Sequence, residues 1–127
     1  MSDKTSLLMI ALAVLATKHV IFDFFLQSLE QIRNKRIYGH PSGLLHAAGH
    51  AAGTCLVFLI ITPPLIVALG IVVGEFIIHY HADWLKEEIG YRMKLRPDEK
   101  RFWIGMGIDQ WVHQLTYVGI VTVLALT

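Results

Sequence analysis

Four apolar stretches of the chain each carry a pair of ionisable residues spaced four apart: His19 and Asp23, His46 and His50, His79 and Asp83, Asp109 and His113. On a helix, residues four apart lie one above the other on the same face. A soluble helix can carry such a pair casually. A helix in hydrocarbon cannot, because polar groups there are expensive and usually functional. The chain is 54% hydrophobic and 17% charged, against about a quarter charged in ordinary soluble domains. Its mean hydropathy is +0.53. Such a chain must bundle its helices so that the four polar faces meet one another and not lipid.

The hydropathy pattern predicts an all-α membrane protein, a bundle of four transmembrane helices over residues 6–28, 44–61, 65–85 and 102–126, forming a single transmembrane domain over 1–127. Each stretch is long enough to cross about 30 Å of hydrocarbon, straight or with local thinning. Residues 1–17 imitate a signal peptide, but the apolar pattern continues past Lys18 and His19 to Leu26, so this stretch is read as a retained helix. Thr62-Pro63-Pro64 separates the second and third helices, because two prolines cannot continue a helix interior.

The loops set the orientation. The first holds Arg33, Lys35 and Arg36; the third holds Lys86, Arg92, Lys94, Arg96, Lys100 and Arg101; the second holds no Lys or Arg. The positive-inside rule places the first and third loops in the cytoplasm and both termini outside, in a cell (inner) membrane. All four ionisable pairs then fall toward the cytoplasmic side, as a polar His/Asp cluster.

The net charge of +1 supplies no basic field for nucleic acid. Cys55 is the single cysteine, so no disulfide framework exists, and it is expected to be a small buried hydrophobe. Gly49 with Gly53 and Gly70 with Gly74 form small-xxx-small pairs that let backbones approach and could mediate homo-oligomer formation.

Imidazole with carboxylate suits zinc, iron or manganese, and bundle-core metal sites are built from inward side chains on facing helices. The expected ligands are His19, Asp23, His46, His50, His79, Asp83, Asp109 and His113, with Glu75 continuing the stripe of the third helix. These exceed the four ligands of one zinc, so either two divalent ions bind or one binds within a second shell. Four carboxylates favour two ions. Hydrogen-bonded helix glue, a bis-histidine haem and a proton or ion pathway are the alternatives. Lys18, near mid-span, is read either as the salt-bridge partner of one carboxylate or as an anion-binding group for substrate. His81 points away from His79, and His40 sits in a loop.

The run Asp23-Phe24-Phe25-Leu26-Gln27, followed by Lys35, resembles the signature of the DUF3307 family of small integral membrane proteins of bacteria and phages. His46 with His50 and Asp109-Gln110-x-x-His113 fit the same pattern. The resemblance covers most of the chain and implies a membrane location, but no activity. More distantly, the arrangement is similar in chemistry to membrane-bound metal-dependent hydrolases and the ceramidase-like superfamily, although this chain has no matching Ser-x-x-x-His.

From these residues the expected function is a membrane-embedded metal-dependent hydrolase. Its substrate would be a lipid or lipid-linked ester, amide or phosphoester at the cytoplasmic leaflet. Glu75 or Asp109 would act as the catalytic base. Lys18, Gln27, Lys35 and Gln110 form the expected substrate-binding set. The rival expectation is a non-enzymatic metal- or proton-handling or partner-binding membrane protein with a structural metal or haem.

Overall fold

The computed structural model describes residues 3–127, so the first two residues of the expected domain lie outside it. The chain forms α1 (Asp3–Val20), α2 (Leu29–Asn34), α3 (Pro41–Thr54), α4 (Leu65–Arg92) and α5 (Lys100–Leu126). No strand occurs among the described residues.

Each end of these helices has a local cause, and several differ from the hydropathy reading. The first helix does not run unbroken to residue 28. It widens to a π-helical turn over Ile21–Leu26 and stops at Gln27, whose backbone is extended. That turn carries Asp23, and π turns recur where a helix must re-aim a functional side chain. Within the first loop, α2 is an extra short helix. Its Ser28 hydroxyl accepts from the Gln31 N–H while the Gln31 side chain accepts from the Ser28 N–H, a capping box.

The second helix starts at Pro41 and not at residue 44. Proline suits a first helical turn, whose N–H groups lack partners anyway, and the His40 ring accepts from the Ser42 N–H at 3.1 Å. It tightens to a 3₁₀ segment over Cys55–Leu59 before the prolines. The third helix continues past residue 85 to Arg92, since nothing in Lys86–Arg92 breaks it and Arg92 pairs with Glu88 one turn back at 2.7 Å.

α1 packs on α3 and α5, and α4 packs on the same two, closing a ring of four long helices. Three segments are long and apolar enough to cross a membrane: Asp3–Leu26, Pro41–Leu59 and Leu65–Arg92. α5 matches them in length but is not among them. Asp109, Gln110, His113 and Gln114 crowd its first half.

The interior is divided along the bundle axis. At one end lies an apolar cluster of Ala11, Leu15, Val57, Ile71, Tyr117, Ile120 and Leu124. At the other end the buried ionisable side chains are Lys18, His19, Lys35, His46, His50, His79, Asp83, Asp109 and His113. The outer surface is the reverse: Phe25 is 77% exposed, Ile66 77% and Leu59 83%. This polarity, wet inside and greasy outside, inverts that of a soluble bundle and suits a chain whose surroundings are hydrocarbon. Cys55 belongs to the greasy exterior: it is exposed, contrary to expectation, because the 3₁₀ segment turns it outward while Val57 points in.

The two glycine pairs differ in use. Gly49 and Gly53 form a notch on α3 that receives Phe22; a Cβ at Gly49 would stand 2.9 Å from the ring, and one at Gly53 would stand 3.2 Å from it. Gly70 and Gly74 meet nothing within 4 Å. They face an open groove of about 680 Å³ between α4 and α5.

The two pairs therefore respond differently to substitution. Gly49→Val forces Phe22 out of its notch and lowers stability by about 1–3 kcal/mol, the usual range for overpacking. Gly74→Ala is neutral or slightly stabilising, as alanine favours helix over glycine. Unfolding of the detergent-solubilised variants, followed by circular dichroism, separates the two; equal losses would contradict the packing described.

Candidate metal centre

The buried ends of α1, α3, α4 and α5 bring three carboxylates and five imidazoles into contact. Asp23, on the π turn, stands at the centre of one group. Its Oδ1 lies 2.9 Å from His50 Nε2 and 3.1 Å from His46 Nε2, and its Oδ2 lies 3.2 Å from His19 Nε2. Asp83 stands at the centre of the other. Its Oδ2 lies 3.4 Å from His46 Nε2 and 3.5 Å from His79 Nε2, and its Oδ1 lies 3.2 Å from His113 Nε2. Asp109 approaches His113 at 3.4 Å.

Small residues on α3 allow this density. Ala47 and Ala51 are buried beside the two histidines, and Gly43 packs against the Tyr80 ring. The rings stack in a column: His50 on His79 with centroids 3.8 Å apart, His79 on His113 at 4.2 Å.

Two groups among the described residues place ligand atoms within 4.8 Å of one another: Asp23, His46, His50 and His79, and His79, Asp83 and His113. A tetrahedral ion bound at about 2.0–2.1 Å separates neighbouring donor atoms by roughly 3.3 Å, and the spacings above bracket that value. Hydrogen bonding accounts for two of them, His50 Nε2 with Asp23 Oδ1 and His113 Nε2 with Asp83 Oδ1. His46 Nε2, His79 Nε2, His50 Nδ1 and Asp109 Oδ1 are buried without a hydrogen bond, and Asp83 Oδ2 has its ion pair with Lys35. Buried polar atoms are nearly always satisfied, and leaving one unsatisfied costs about 1–3 kcal/mol. Four in one cluster, all of metal-ligating type, therefore fit a cation. This His/Asp cluster could hold a metal ion; nothing in it distinguishes zinc from iron or manganese.

Comparison with known families, with curated proteins and with solved structures gave no match. The geometry alone therefore carries the functional argument.

His19 and Asp109 lie outside both ligand groups. His19 is held by its neighbours on α5. Its Nε2–H donates to Gln110 Oε1 at 2.9 Å, so its Nδ1 accepts from the Tyr117 hydroxyl, also at 2.9 Å. Gln110 in turn donates to Asp109 Oδ2 at 3.3 Å. Gln110 thus aligns His19 and Asp109. Gln27 donates only to the Asp23 carbonyl, at 3.4 Å. His81 stays outside, bonded to the Tyr38 hydroxyl at 3.0 Å.

Glu75 is the clearest departure from expectation. Lys18 Nζ donates to its Oε1 and the Thr54 hydroxyl to its Oε2, and Lys18 donates also to the His50 carbonyl. Both carboxylate oxygens are committed, so Glu75 is poorly placed to take a proton, and Lys18 follows the salt-bridge reading. Lys35 reaches in from the end of α2 to within 2.7 Å of Asp83 Oδ2.

Thr54 and Tyr117 were not among the expected residues. Each continues a four-residue stripe: His46, His50, Thr54 on α3, and Asp109, His113, Tyr117 on α5. That spacing was the signal available for them.

Breaking the Lys18–Glu75 pair from one side strands a buried charge. Lys18→Met alone should cost about 3–5 kcal/mol, and Lys18→Met with Glu75→Leu should recover most of it. A double-mutant cycle on unfolding free energies measures the coupling. Additive losses would contradict a direct buried pair.

Proposed function

We propose that this protein is a four-span membrane protein that holds a divalent metal ion in its His/Asp cluster and hydrolyses a lipid or lipid-linked ester, amide or phosphoester at the cytoplasmic leaflet. The observation that carries the reading is the set of buried nitrogen and carboxylate atoms at donor spacing without hydrogen bonds. α5 completes the four spans in this reading, because Asp109 and His113 are turned inward and its outward side is mostly apolar, with Gln114 and Thr122 the exceptions beyond its first turn. The loops rich in Lys and Arg lie at the same end as the cluster, which supports a cytoplasmic-side site in an inner membrane with both termini outside. The same reading assigns the chain to the DUF3307 family on its Asp23–Gln27 and Lys35 signature.

The donor set supports one ion over two. Glu75, Asp23, Asp83 and Asp109 face Lys18 and Lys35, which leaves two negative charges with the histidines neutral. One divalent ion cancels them. Its ligands would be Asp23, His46, His50 and His79, with Asp83 and His113 next in line; zinc suits this set, and iron or manganese would too. When bound, such an ion lowers the pKa of a coordinated water and polarises the scissile group. Asp109 would take the proton, since its Oδ1 is buried and free of hydrogen bonds. His19, fixed by Gln110 and Tyr117, would orient Asp23.

A second reading, a structural ion in a non-enzymatic protein, is favoured by one observation: His46, His50, His79, Asp83 and His113 are all nearly sealed from the surface. A haem suits the cluster less. Its axial imidazoles must lie across a wide plane, whereas His50 and His79 stack directly at 3.8 Å.

Elemental analysis of the detergent-purified protein tests the metal. About one equivalent of zinc, iron or manganese is expected, lost in His50→Ala while the helical circular-dichroism signal is kept. Metal-free wild-type protein would overturn the reading. Unfolding of His50→Ala on metal loss would favour the structural ion.

A further inference from the structure

Each of the two ligand groups contains one carboxylate, and the two carboxylates are partnered differently. Asp23 is surrounded by imidazoles alone, those of His19, His46 and His50. Asp83 faces His46, His79 and His113, but it also holds an ammonium, with Lys35 Nζ at 2.7 Å from its Oδ2. Lys35 caps α2 in the first loop, yet only 6% of it is exposed. Its neighbour Arg36 shows what a cation of this loop ordinarily does. It stays outside, over the Tyr91 ring at 3.8 Å and beside Glu88 at 3.2 Å. A lysine stem usually carries its ammonium to water. Lys35 carries it into the His/Asp cluster.

The other interior lysine leaves the ligand set untouched. Lys18 is matched by Glu75 and donates to the His50 carbonyl, and Glu75 stands in neither ligand group. Lys35 is thus the one cation of the chain that occupies a carboxylate of metal-ligating placement among the described residues.

We propose that His79, Asp83 and His113 form a second cation site that Lys35 fills from within, so that the cluster takes one divalent ion where its donors would otherwise take two. The proposal rests on the metal reading above and fixes how many ions that site holds.

The argument is one of donors, charge and distance. Donors for a second ion are at hand. The ligand atoms of His79, Asp83 and His113 lie within 4.8 Å of one another. His79 is shared with the first group, but Asp109 Oδ1, buried without a hydrogen bond, stands 3.4 Å from His113 Nε2 and offers a replacement. What opposes the second ion is the ammonium already there. An ion bound to Asp83 at about 2.0–2.1 Å would lie within about 5 Å of Lys35 Nζ. Two cations that close repel strongly where water is scarce, and one carboxylate cannot neutralise both. Lys35 instead supplies a positive charge tethered to the chain. Together with Lys18 it brings the four buried carboxylates to the balance that a single divalent ion completes. No pocket is needed for this occupant, because it folds in with the loop.

The test counts ions. Full-length protein is produced with zinc supplementation, so that the cluster loads as the chain folds, and is purified in detergent beside Lys35→Glu and Lys35→Met. Lys35→Glu frees Asp83, adds a carboxylate next to it and shifts the local charge by as much as one divalent ion supplies. Elemental analysis should find about one equivalent of zinc in the wild type and about two in Lys35→Glu. Adding His113→Ala to Lys35→Glu should return the count to about one, which places the second ion. Lys35→Met only removes charge. In equilibrium dialysis it should bind a second zinc at least about tenfold more tightly than wild type does, and it decides the question if Lys35→Glu does not fold. One equivalent in Lys35→Glu with an unchanged second affinity in Lys35→Met overturns the proposal and leaves the metal reading intact. Two equivalents in the wild type, or a second equivalent that survives the loss of His113, does the same. Metal-free wild-type protein overturns both.

Discussion

The structure depends on cancelling charge where water is scarce. Nine ionisable side chains are buried in one end of a narrow bundle, and a tenth, Glu75, lies just beneath them. A charge moved from water into a low-dielectric interior loses several kcal/mol unless it is paired and hydrogen-bonded. The chain meets this demand by interleaving. Three carboxylates are held by side chains from other helices: Glu75 by Lys18 and Thr54, Asp83 by Lys35, His46 and His113 as well as its own-helix His79, Asp23 by His46 and His50 as well as the preceding His19. These contacts join α1, α3, α4 and α5 to one another. In hydrocarbon, where apolar side chains gain little by leaving lipid for the bundle, such cross-links are a main reason for the helices to associate at all.

The two ends of the bundle serve each other. The apolar end packs Leu15, Val57, Ile71 and Leu124 at full burial and holds the helix axes at a fixed spacing. The polar end can then leave donors such as His46 Nε2 and Asp109 Oδ1 without hydrogen bonds, a condition that a loose bundle would relieve by rotating its helices. Notches at Gly49 and Gly53 lock α3 on Phe22 of the π turn, next in sequence to Asp23. Rigidity at one level thus preserves an unsatisfied cluster at the next, which is how preorganised sites are built.

Much of the site was legible because helical periodicity is a local property. His46 and His50, His79 and Asp83, and Asp109 and His113 had to share faces once their segments were helical, and all six are buried. The same rule reached further than ionisable residue types. Thr54 and Tyr117 extend two of these stripes by one turn and are fully buried, yet an uncharged residue in an apolar run carries no visible mark of function. Other features were illegible in principle. That Glu75 belongs to Lys18, 57 residues away, and Asp83 to Lys35 depends on which helix faces which. Charge counting on the carboxylates alone favoured two ions, because nothing in the sequence showed that Lys18 and Lys35 are buried beside them. The helix ends at Gln27, Pro41, Arg92 and Lys100 were set by caps, proline geometry and ion pairs, which hydropathy does not register.

α5 makes the tension between membrane and site explicit. It is as long as α4 to within one residue, and its buried positions, Asp109, His113, Tyr117, Ile120 and Leu124, follow the same stripe. It differs in where its polar residues stand. Glu75, His79 and Asp83 are spread through the middle of α4 with apolar turns before them, whereas Asp109, Gln110, His113 and Gln114 fall together on α5. Averaging hydropathy along the helix counts side chains that lipid never meets. The outward residues Ile104, Ile108, Trp111, Leu115 and Val118 are apolar, with Gln114 exposed among them, and they are most of what a bilayer would touch. A helix whose polar residues fall together on an inward face is therefore one that composition is poorly able to place in a membrane, and the face it exposes, not its mean, decides whether it can cross.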